Sequence, residues 1–192
     1  RVYVIAGDGC MMEGLSSEAA SLAGHLSLDR LVVLYDDNRI TIDGSTDLAF
    51  TEDVGARYRA YGWHVSDVDG HDRGAVGDAI EAANRVQDRP SLICCKTTIG
   101  KFSPNLAGSQ KTHGAPLGEA EVALTKQAMG LNPTQHFHIP AEVYERLRAR
   151  NPQLRAMNEM WRTRMKDGDG KRLLERLQPD LNRVISDVEW PT

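Results

Sequence analysis

The sequence of 192 residues has room for one domain or for one large part of a longer protein, because compact domains most often contain roughly 100–200 residues. Apolar residues make up 41% of the chain and charged residues 26%, which supports an ordinary core and excludes the disordered, collagen-like and disulfide-rich classes. The 27 acidic and 23 basic side chains give a formal charge of -4, which argues against nucleic-acid binding as the main function.

The cysteines and the apolar segments indicate where the protein functions. Cys10, Cys94 and Cys95 are too few and too badly spaced for a disulfide scaffold or a four-ligand zinc site. No apolar stretch approaches the ~18–20 residues that a membrane-spanning helix needs, and the first residues lack the layout of a secretion signal. We therefore predict a cytoplasmic protein with reduced thiols. A strand-like run follows Arg1 at once, so we expect the sequence to come from the interior of a longer polypeptide.

The first half of the chain alternates between apolar runs typical of buried strands and patterns typical of helices. The apolar, β-branched run at 2–6 favours a strand buried on both faces. A helical pattern and a second apolar run follow it, which predicts a right-handed crossover between parallel strands. We predict a doubly wound α/β fold with a mostly parallel sheet, helices on both faces and a C-terminal helical extension. The predicted strands cover 2–6, 31–35, 64–70 and 91–97, and the predicted helices between them cover about 13–26, 52–62 and 72–88.

A long loop separates this pattern from a helical remainder. Residues 99–118 are rich in Gly, Ser, Asn and Pro, and a loop of that length usually has a function of its own. From residue 119 to about residue 185 the pattern favours helices. We expect an α/β domain over residues 1–130 that lacks its N-terminal part. A helical extension or linker is expected over residues 131–192.

Two oxygen-bearing side chains follow the first two predicted strands. Asp8 comes after the first strand and Asn38 after the second. Ligands of open parallel sheets bind at the carboxyl ends of the strands, so we expect these side chains to face one space. A carboxylate and an amide without nearby His or Cys favour Mg²⁺ or Ca²⁺ over zinc. On its own, Asp8 is equally well explained as an Asx turn or a helix cap, and Asn38 is better explained as a turn residue.

The glycines around Asp8 favour a phosphate ligand of that cation. Mg²⁺ usually completes its coordination with waters and phosphates, so a site with few protein ligands predicts a bound diphosphate. Gly7 and Gly9 allow close approach of the backbone, and a helix that begins nearby attracts an anion. The sequence matches neither the phosphate-binding loop of nucleotide hydrolases nor the dinucleotide fingerprint, whose glycine spacing differs from Gly7, Gly9 and Gly14.

A series of motifs resembles the transketolase family over residues 2 to about 123. The motifs lie in the order and at the spacing of that family: GDGCMMEGLSSEAASLAG, YDDNRITIDG, AYGWHV, DGHD, PSLICCKTTIG, SPN and HGAPLG. The resemblance implies a thiamine-diphosphate enzyme whose diphosphate-binding domain is this segment. It implies Mg²⁺ as the metal, with Ca²⁺ or Mn²⁺ as substitutes.

The resemblance also implies roles for individual residues. Asp8, the Asn38 side chain and the backbone carbonyl of Ile40 would hold the metal. Gly9 and Asn38 would contact the cofactor diphosphate, and Ile42 and Ile99 would contact its rings. His113 would lie between cofactor and sugar substrate, as a catalytic, cofactor-binding and substrate-binding residue; imidazole suits proton exchange near neutral pH.

Further implications concern the dimer and the long loop. Glu13 and Glu18 resemble acidic residues that lie at the subunit contact and link the two active sites. The resemblance implies a homodimer formed through the α/β domains, in which a pyrimidine-binding domain completes the site. Phe102 and Leu106 depart from the commoner glycine and polar residue, so the substrate contacts of this loop are less closely implied.

The implied reaction is reversible transfer of a two-carbon ketol unit from a ketose phosphate to an aldose phosphate, as in the pentose phosphate pathway or the Calvin cycle. The glutamate that promotes cofactor ionisation and the arginines that bind sugar phosphate belong to parts of the family outside this segment, which is expected to be inactive alone.

The alternatives are dihydroxyacetone (formaldehyde) synthase, a non-catalytic α/β interaction domain and a nucleotide-binding domain. Neither nucleic acid nor membrane is expected as a partner.

Overall fold

The computed structural model describes residues 1–166 and 168–177. In this part of the chain four strands form one sheet in the order β1-β2-β4-β3, and every neighbouring pair is parallel. The predicted α/β fold with a parallel sheet is therefore confirmed. The strands are β1 (Val2–Gly7), β2 (Leu31–Asp37), β3 (His64–Asp69) and β4 (Ser91–Lys96).

Eight α-helices lie in the described part of the chain. The helix predicted at about 13–26 is confirmed as a helix over Gly14–His25, and a short helix that was not predicted precedes it, separated from it by Glu13 in an extended conformation (φ -68°, ψ 133°). Asp8, expected in a turn, is the first residue of the earlier helix. The helices are α1 (Asp8–Met12), α2 (Gly14–His25), α3 (Val54–Ala60), α4 (Arg73–Arg85), α5 (Glu119–Ala128), α6 (Ala141–Ala149), α7 (Asn151–Arg164) and α8 (Gly168–Leu177).

The sheet has a hydrophobic cluster on each face. Alternate residues of β2 and β4 point to opposite faces, so that Val33 and Leu92 belong to one cluster while Val32 and Ile93 belong to the other. The first cluster contains residues of α1, α2 and α3, and the second contains Ala79 and Ala83 of α4. The predicted placement of helices on both faces is confirmed.

Helix α2 passes very close to the segment that follows α3. A Cβ atom at Gly24 would lie 1.9 Å from the backbone oxygen of Tyr61, so only glycine fits there. The indole N–H of buried Trp63 donates a 2.8 Å hydrogen bond to the carbonyl of Ala20 in the same helix. These contacts fix α2 against the sheet, and α2 follows directly from the helix that begins at Asp8.

Strand β1 differs from its prediction. Its side chains are largely exposed, with Val2 at 59% and Ile5 at 82% of full accessibility. Among the described residues β1 pairs only with β2, so it is an edge strand. An apolar run favours burial but contains no information on how many neighbours a strand has, which is why the expected burial on both faces is wrong here.

The chain divides into a unit formed by Arg1–Thr134 and a second unit that begins at Gln135. The sheet and α1–α5 belong to the first unit, and α6–α8 belong to the second. The predicted C-terminal helices are therefore present as far as Leu177, and the rest of that prediction, to residue 185, lies outside the described residues. None of the helices in residues 1–166 and 168–177 is long and apolar enough to span a bilayer.

Candidate diphosphate and metal site

Asp8 is buried at the carboxyl end of β1 and connects it to the loop after β2. Its side chain is 3% exposed, and its carboxylate accepts three hydrogen bonds. The hydroxyl of Tyr35 donates to Oδ1 at 2.6 Å, and the backbone N–H groups of Asn38 and Arg39 donate to Oδ2 at 3.2 and 2.9 Å. The structure therefore brings Asp8 and the loop that contains Asn38 together at one edge of the sheet.

The amide of Asn38 is held at both ends. Its Nδ2 donates to Asp36 at 3.1 Å, and its Oδ1 accepts from the backbone N–H of Ile40 at 2.9 Å. Ile40 lies between two hydrogen bonds of a tight loop, from Thr46 N to Arg39 O (3.0 Å) and from Thr41 N to Gly44 O (2.8 Å). The carbonyl of Ile40 takes part in neither of these two bonds.

The donor atoms at this position fit a hard cation. Asp8 Oδ1 and Asn38 Oδ1 each accept one of the hydrogen bonds described, which leaves each a second lone pair. With the carbonyl of Ile40 they make a set of oxygen donors, the type that Mg²⁺ and Ca²⁺ prefer. The described residues contain no group of three or more His, Cys, Asp or Glu that could hold a metal, so a metal here depends on amide, carbonyl and non-protein ligands.

Tyr35 is a residue of this site that sequence reasoning missed. Burial, the hydrogen bond to Asp8 and the nearby charges of Asp8 and Asp37 raise the pKa of its hydroxyl far above the usual range. Tyr35 therefore remains a neutral donor that stabilises the Asp8 carboxylate in a buried position. Its parallel register with Ala6, two residues before Asp8, is the signal that could have identified it.

A cavity of about 370 Å³ extends from Asp8 along the ends of β2, β3 and β4. Of the residues predicted to bind metal, cofactor or substrate, Asp8 lines it, whereas the others do not: Gly9, Asn38, Ile40, Ile42, Ile99 and His113. Six carboxylates and two basic side chains line the cavity, so its walls are acidic and favour cations. The carboxylates are Asp8, Asp37, Asp47, Glu52, Asp53 and Asp67, and the bases are Arg39 and Lys96.

The charges in this cavity act on one another. Burial, followed by the negative charge of Asp8, raises the pKa of Asp37, while Arg39 and Lys96 act in the opposite direction. Burial raises the pKa of Cys94, which also lines the cavity, to about 12. Cys94 is therefore a neutral thiol at physiological pH.

The glycines at the start of α1 face open space. A Cβ atom at Gly7 or Gly9 would meet no heavy atom of the described chain within 4 Å. Packing within this part of the chain therefore does not explain either glycine, and the space in front of them is available to a ligand. Gly7 has an extended conformation and no side chain of the described residues caps the helix at this end.

The remaining predicted residues lie on exposed loops and helix ends. Ile42 is 74% exposed in the loop after β2, and His113 is exposed at the end of a short 3₁₀ helix (Gln110–Thr112). Ile99 is half-buried in the loop after β4. Glu13 and Glu18 are exposed at the start of α2 and within it. Their predicted contacts with cofactor, substrate and a partner subunit stay predictions.

The loop between β4 and α5 is held by side chains that sequence reasoning did not select. Near its start, the backbone N–H of Thr98 donates to Nε2 of His71 at 2.8 Å. Further along, the carboxylate of Glu121 accepts from the Ser103 hydroxyl and from Asn105, at 2.9 Å from its backbone N–H and 2.8 Å from its side chain. These bonds order the segment between Ile99 and His113.

Two residues of these loops have backbone conformations that favour glycine. Phe102 has φ 74° and Arg39 has φ 60°. For a phenylalanine this conformation is strained, and Phe102 is the position where the sequence departs from a frequent glycine. The anchors around Phe102, at Ser103 and Asn105, act against that strain.

Replacement of Glu121 by glutamine is expected to destabilise the protein at neutral pH but not in acid. Hydrogen bonds from Ser103 and Asn105 lower the pKa of Glu121, so its stabilisation is present above the ordinary glutamate pKa of about 4.3 and is lost as the pH falls through the lowered pKa. Melting temperatures of wild type and Glu121→Gln should therefore differ at neutral pH and converge as the pH falls through the lowered pKa of Glu121.

Glu119→Gln is the matched control, because Glu119 is an exposed carboxylate in the first turn of the same helix. Its melting temperature should follow that of the wild type over the whole range. A difference for Glu121→Gln that does not change with pH would contradict the role assigned to the ionised carboxylate.

Comparison with known proteins gives one family. The family model described as "Transketolase, thiamine diphosphate binding domain" matches residues 1–186. Transketolase 1 of Escherichia coli (strain K12) is 53% identical over 143 residues, which is 74% of this chain and 21% of that protein. A transketolase of Sinorhizobium medicae is 48% identical over 184 residues, or 94% of this chain and 25% of that protein.

Solved structures agree. The crystal structure of transketolase from Campylobacter jejuni superposes with a TM-score of 0.82 at 38% identity and covers 100% of this chain and 30% of that chain. The chain thus spans between about a fifth and a third of the proteins it matches. The family model matches nearly all of the sequence, so the chain belongs to the transketolase family and corresponds to its thiamine-diphosphate-binding domain.

Proposed function

We propose that the protein containing this chain is a transketolase that transfers a two-carbon ketol unit reversibly from a ketose phosphate to an aldose phosphate, in the pentose phosphate pathway or the Calvin cycle. The observation that carries this proposal is the Asp8 carboxylate, buried and bonded to the loop of Asn38 and Arg39, in a chain that belongs to this family. Within that reaction, this segment supplies the diphosphate and metal half of the site.

The proposed cofactor is thiamine diphosphate with Mg²⁺, for which Ca²⁺ or Mn²⁺ can substitute. Asp8, the Asn38 amide and the Ile40 carbonyl would hold the metal, which their oxygen donors fit. When bound, the cofactor supplies a thiazolium ring that accepts the electron pair released on cleavage of the carbon–carbon bond. Gly9 and Asn38 would bind its diphosphate. The exposed apolar side chain of Ile42, and with it Ile99, would cover the rings.

The proposed site is completed by a second subunit. Helix α2 exposes Leu15 (75%), Leu22 (56%) and Leu26 at its end (55%), an apolar surface next to Glu18 that supports a dimer through the α/β domains. A pyrimidine-binding domain would cover the other side of the cofactor. The segment alone is therefore expected to bind no cofactor tightly and to be inactive. The protein is proposed to function in the cytoplasm, consistent with three free cysteines.

An activity assay of the full-length protein tests the proposal. With a ketose phosphate donor, thiamine diphosphate and Mg²⁺, ribose 5-phosphate should be a far better acceptor than formaldehyde. Preference for formaldehyde would instead indicate a dihydroxyacetone synthase, and absence of cofactor binding by the intact dimer would indicate a non-catalytic domain. The relatives described above are named transketolases, which favours neither alternative.

Replacement of His113 by alanine should lower kcat/KM by about a hundredfold, since general acid–base groups commonly contribute that much. His113 is exposed and, by the proposed role, binds substrate and exchanges protons without holding the metal. The dissociation constant of Mg²⁺ should therefore change little. His136→Ala is the control, because His136 is an exposed histidine of the second unit, and its kcat/KM should equal that of the wild type. A normal kcat/KM for His113→Ala would contradict the role.

A further inference from the structure

Asp36 joins the two loops that border the candidate site. It lies in β2, in register with Gly7 of β1 and Cys95 of β4. One oxygen of its carboxylate accepts from the Asn38 amide at 3.1 Å, and the other accepts from the hydroxyl of Thr97 just after β4. A single carboxylate thus contacts the loop after β2 and the loop after β4.

The contact with Asp36 determines which way the Asn38 amide points. An ionised carboxylate only accepts hydrogen bonds, so it can face the NH₂ end of an amide but not the oxygen end. With Nδ2 of Asn38 bonded to Asp36, Oδ1 is directed to the other side, where it accepts from Ile40. A metal ion binds the oxygen of an amide and not its nitrogen, so this orientation is the one that coordination requires.

Thr97 is itself held in place. Its backbone N–H donates to the carbonyl of Asp37 at 3.2 Å. A Cβ atom at Gly70 would lie 2.5 Å from Cγ2 of Thr97, so a glycine on the loop after β3 leaves the space that the Thr97 side chain fills. Thr97 is therefore a fixed donor to Asp36, and Thr98 and Ile99 follow it directly.

We propose that Asp36 is a positioning residue that fixes the Asn38 amide with its oxygen toward the metal and couples it, through Thr97, to the loop that contains Ile99 and His113. This inference rests on the proposed function, in which Asn38 is a metal ligand. Asp36 acts through Asn38, and we assign it no direct contact with the metal. Replacement of a residue that orients a metal ligand commonly lowers metal affinity by about 10- to 100-fold.

The test is a Mg²⁺ titration of the full-length protein at saturating thiamine diphosphate. Tryptophan fluorescence monitors the titration and gives the dissociation constant of Mg²⁺. Asp36→Ala should raise the dissociation constant of Mg²⁺ by about tenfold or more. Thr97→Val keeps the size and the charge of the site but removes the donor, and should raise it about threefold. Thr97→Ser retains the hydroxyl and should restore the wild-type value.

Asp47→Ala is the charge-matched control. Asp47 is an exposed carboxylate that lines the same cavity as Asp8 and is not among the proposed ligands. Its replacement should change the dissociation constant by no more than about twofold, the effect of one screened charge. An equal loss of affinity in Asp36→Ala and Asp47→Ala would overturn the inference, because the effect would then come from charge alone.

Two further outcomes separate this inference from the proposed function. Unchanged Mg²⁺ affinity in Asp36→Ala overturns the inference alone when Asp8→Ala has lost Mg²⁺ binding. Undiminished Mg²⁺ binding in Asp8→Ala overturns the metal site and the inference with it. If Asp36→Ala does not fold, Thr97→Val decides, and a wild-type dissociation constant in that variant overturns the inference.

Discussion

Replacement of Asp8 by alanine is expected to abolish Mg²⁺-dependent binding of thiamine diphosphate in the full-length protein. The variant loses a proposed metal ligand, and it also leaves the Tyr35 hydroxyl and the N–H groups of Asn38 and Arg39 without their acceptor. Each unsatisfied buried donor costs about 1–3 kcal/mol, so the loop after β2 should become less ordered as well. Calorimetric titration with cofactor in the presence of Mg²⁺ measures the loss.

Asp8→Asn separates the two effects. The asparagine oxygen can accept from the backbone N–H groups of Asn38 and Arg39 while its NH₂ group donates to Tyr35, so the melting temperature should remain close to that of the wild type. The negative charge is lost, and Mg²⁺-dependent cofactor binding should weaken by more than about a hundredfold. Normal cofactor affinity in both variants would contradict the metal site.

Replacement of Gly24 by alanine is expected to destabilise the α/β unit by about 3 kcal/mol. Alanine favours helices by about 1 kcal/mol over glycine, but the new Cβ atom would lie 1.9 Å from the backbone oxygen of Tyr61. Helix α2 must then move away from the sheet, and the hydrogen bond between Trp63 and Ala20 is weakened with it. Urea unfolding, monitored by tryptophan fluorescence, measures the change in the free energy of unfolding.

Gly77→Ala is the matched control for this prediction. Gly77 is also a helical glycine, in α4, and a Cβ atom there would meet no heavy atom of the described chain within 4 Å. The same substitution should therefore stabilise the protein by about 1 kcal/mol. Equal effects of the two substitutions would show that close packing of α2 on Tyr61 does not determine the stability of this unit.

The alternation of strands and helices was predictable because it depends on local periodicity. Apolar runs identify β1, β2 and β4, helical patterns identify α2–α4, and the continuing alternation places β3 between two of these helices. The meeting of Asp8 with the loop of Asn38 follows from parallel strand order, since both lie at carboxyl ends. The short helix α1 and the exposure of β1 did not follow from that periodicity.

The contacts that organise the site were much less predictable. Tyr35, Asp36 and Thr97 belong to strands or their ends, where a polar side chain has no periodic signature of its role. Glu121 lies 16 residues from Asn105 and 18 from Ser103, in a helix that reads as an ordinary surface helix. Such pairings become visible only when the loops have been placed, whereas residues in a family motif can be selected by spacing.

The bare margin of β1 affects how this polypeptide behaves in solution when it is produced by itself. Within residues 1–166 and 168–177 no strand pairs with the outer edge of β1, and its amide and carbonyl groups, bordered by side chains such as Val2 and Ile5, are a template for another β-strand. Copies of the fragment will tend to join edge to edge and precipitate at high concentration. A charged substitution at Ile5, which is 82% exposed, would suppress that aggregation without touching either hydrophobic cluster.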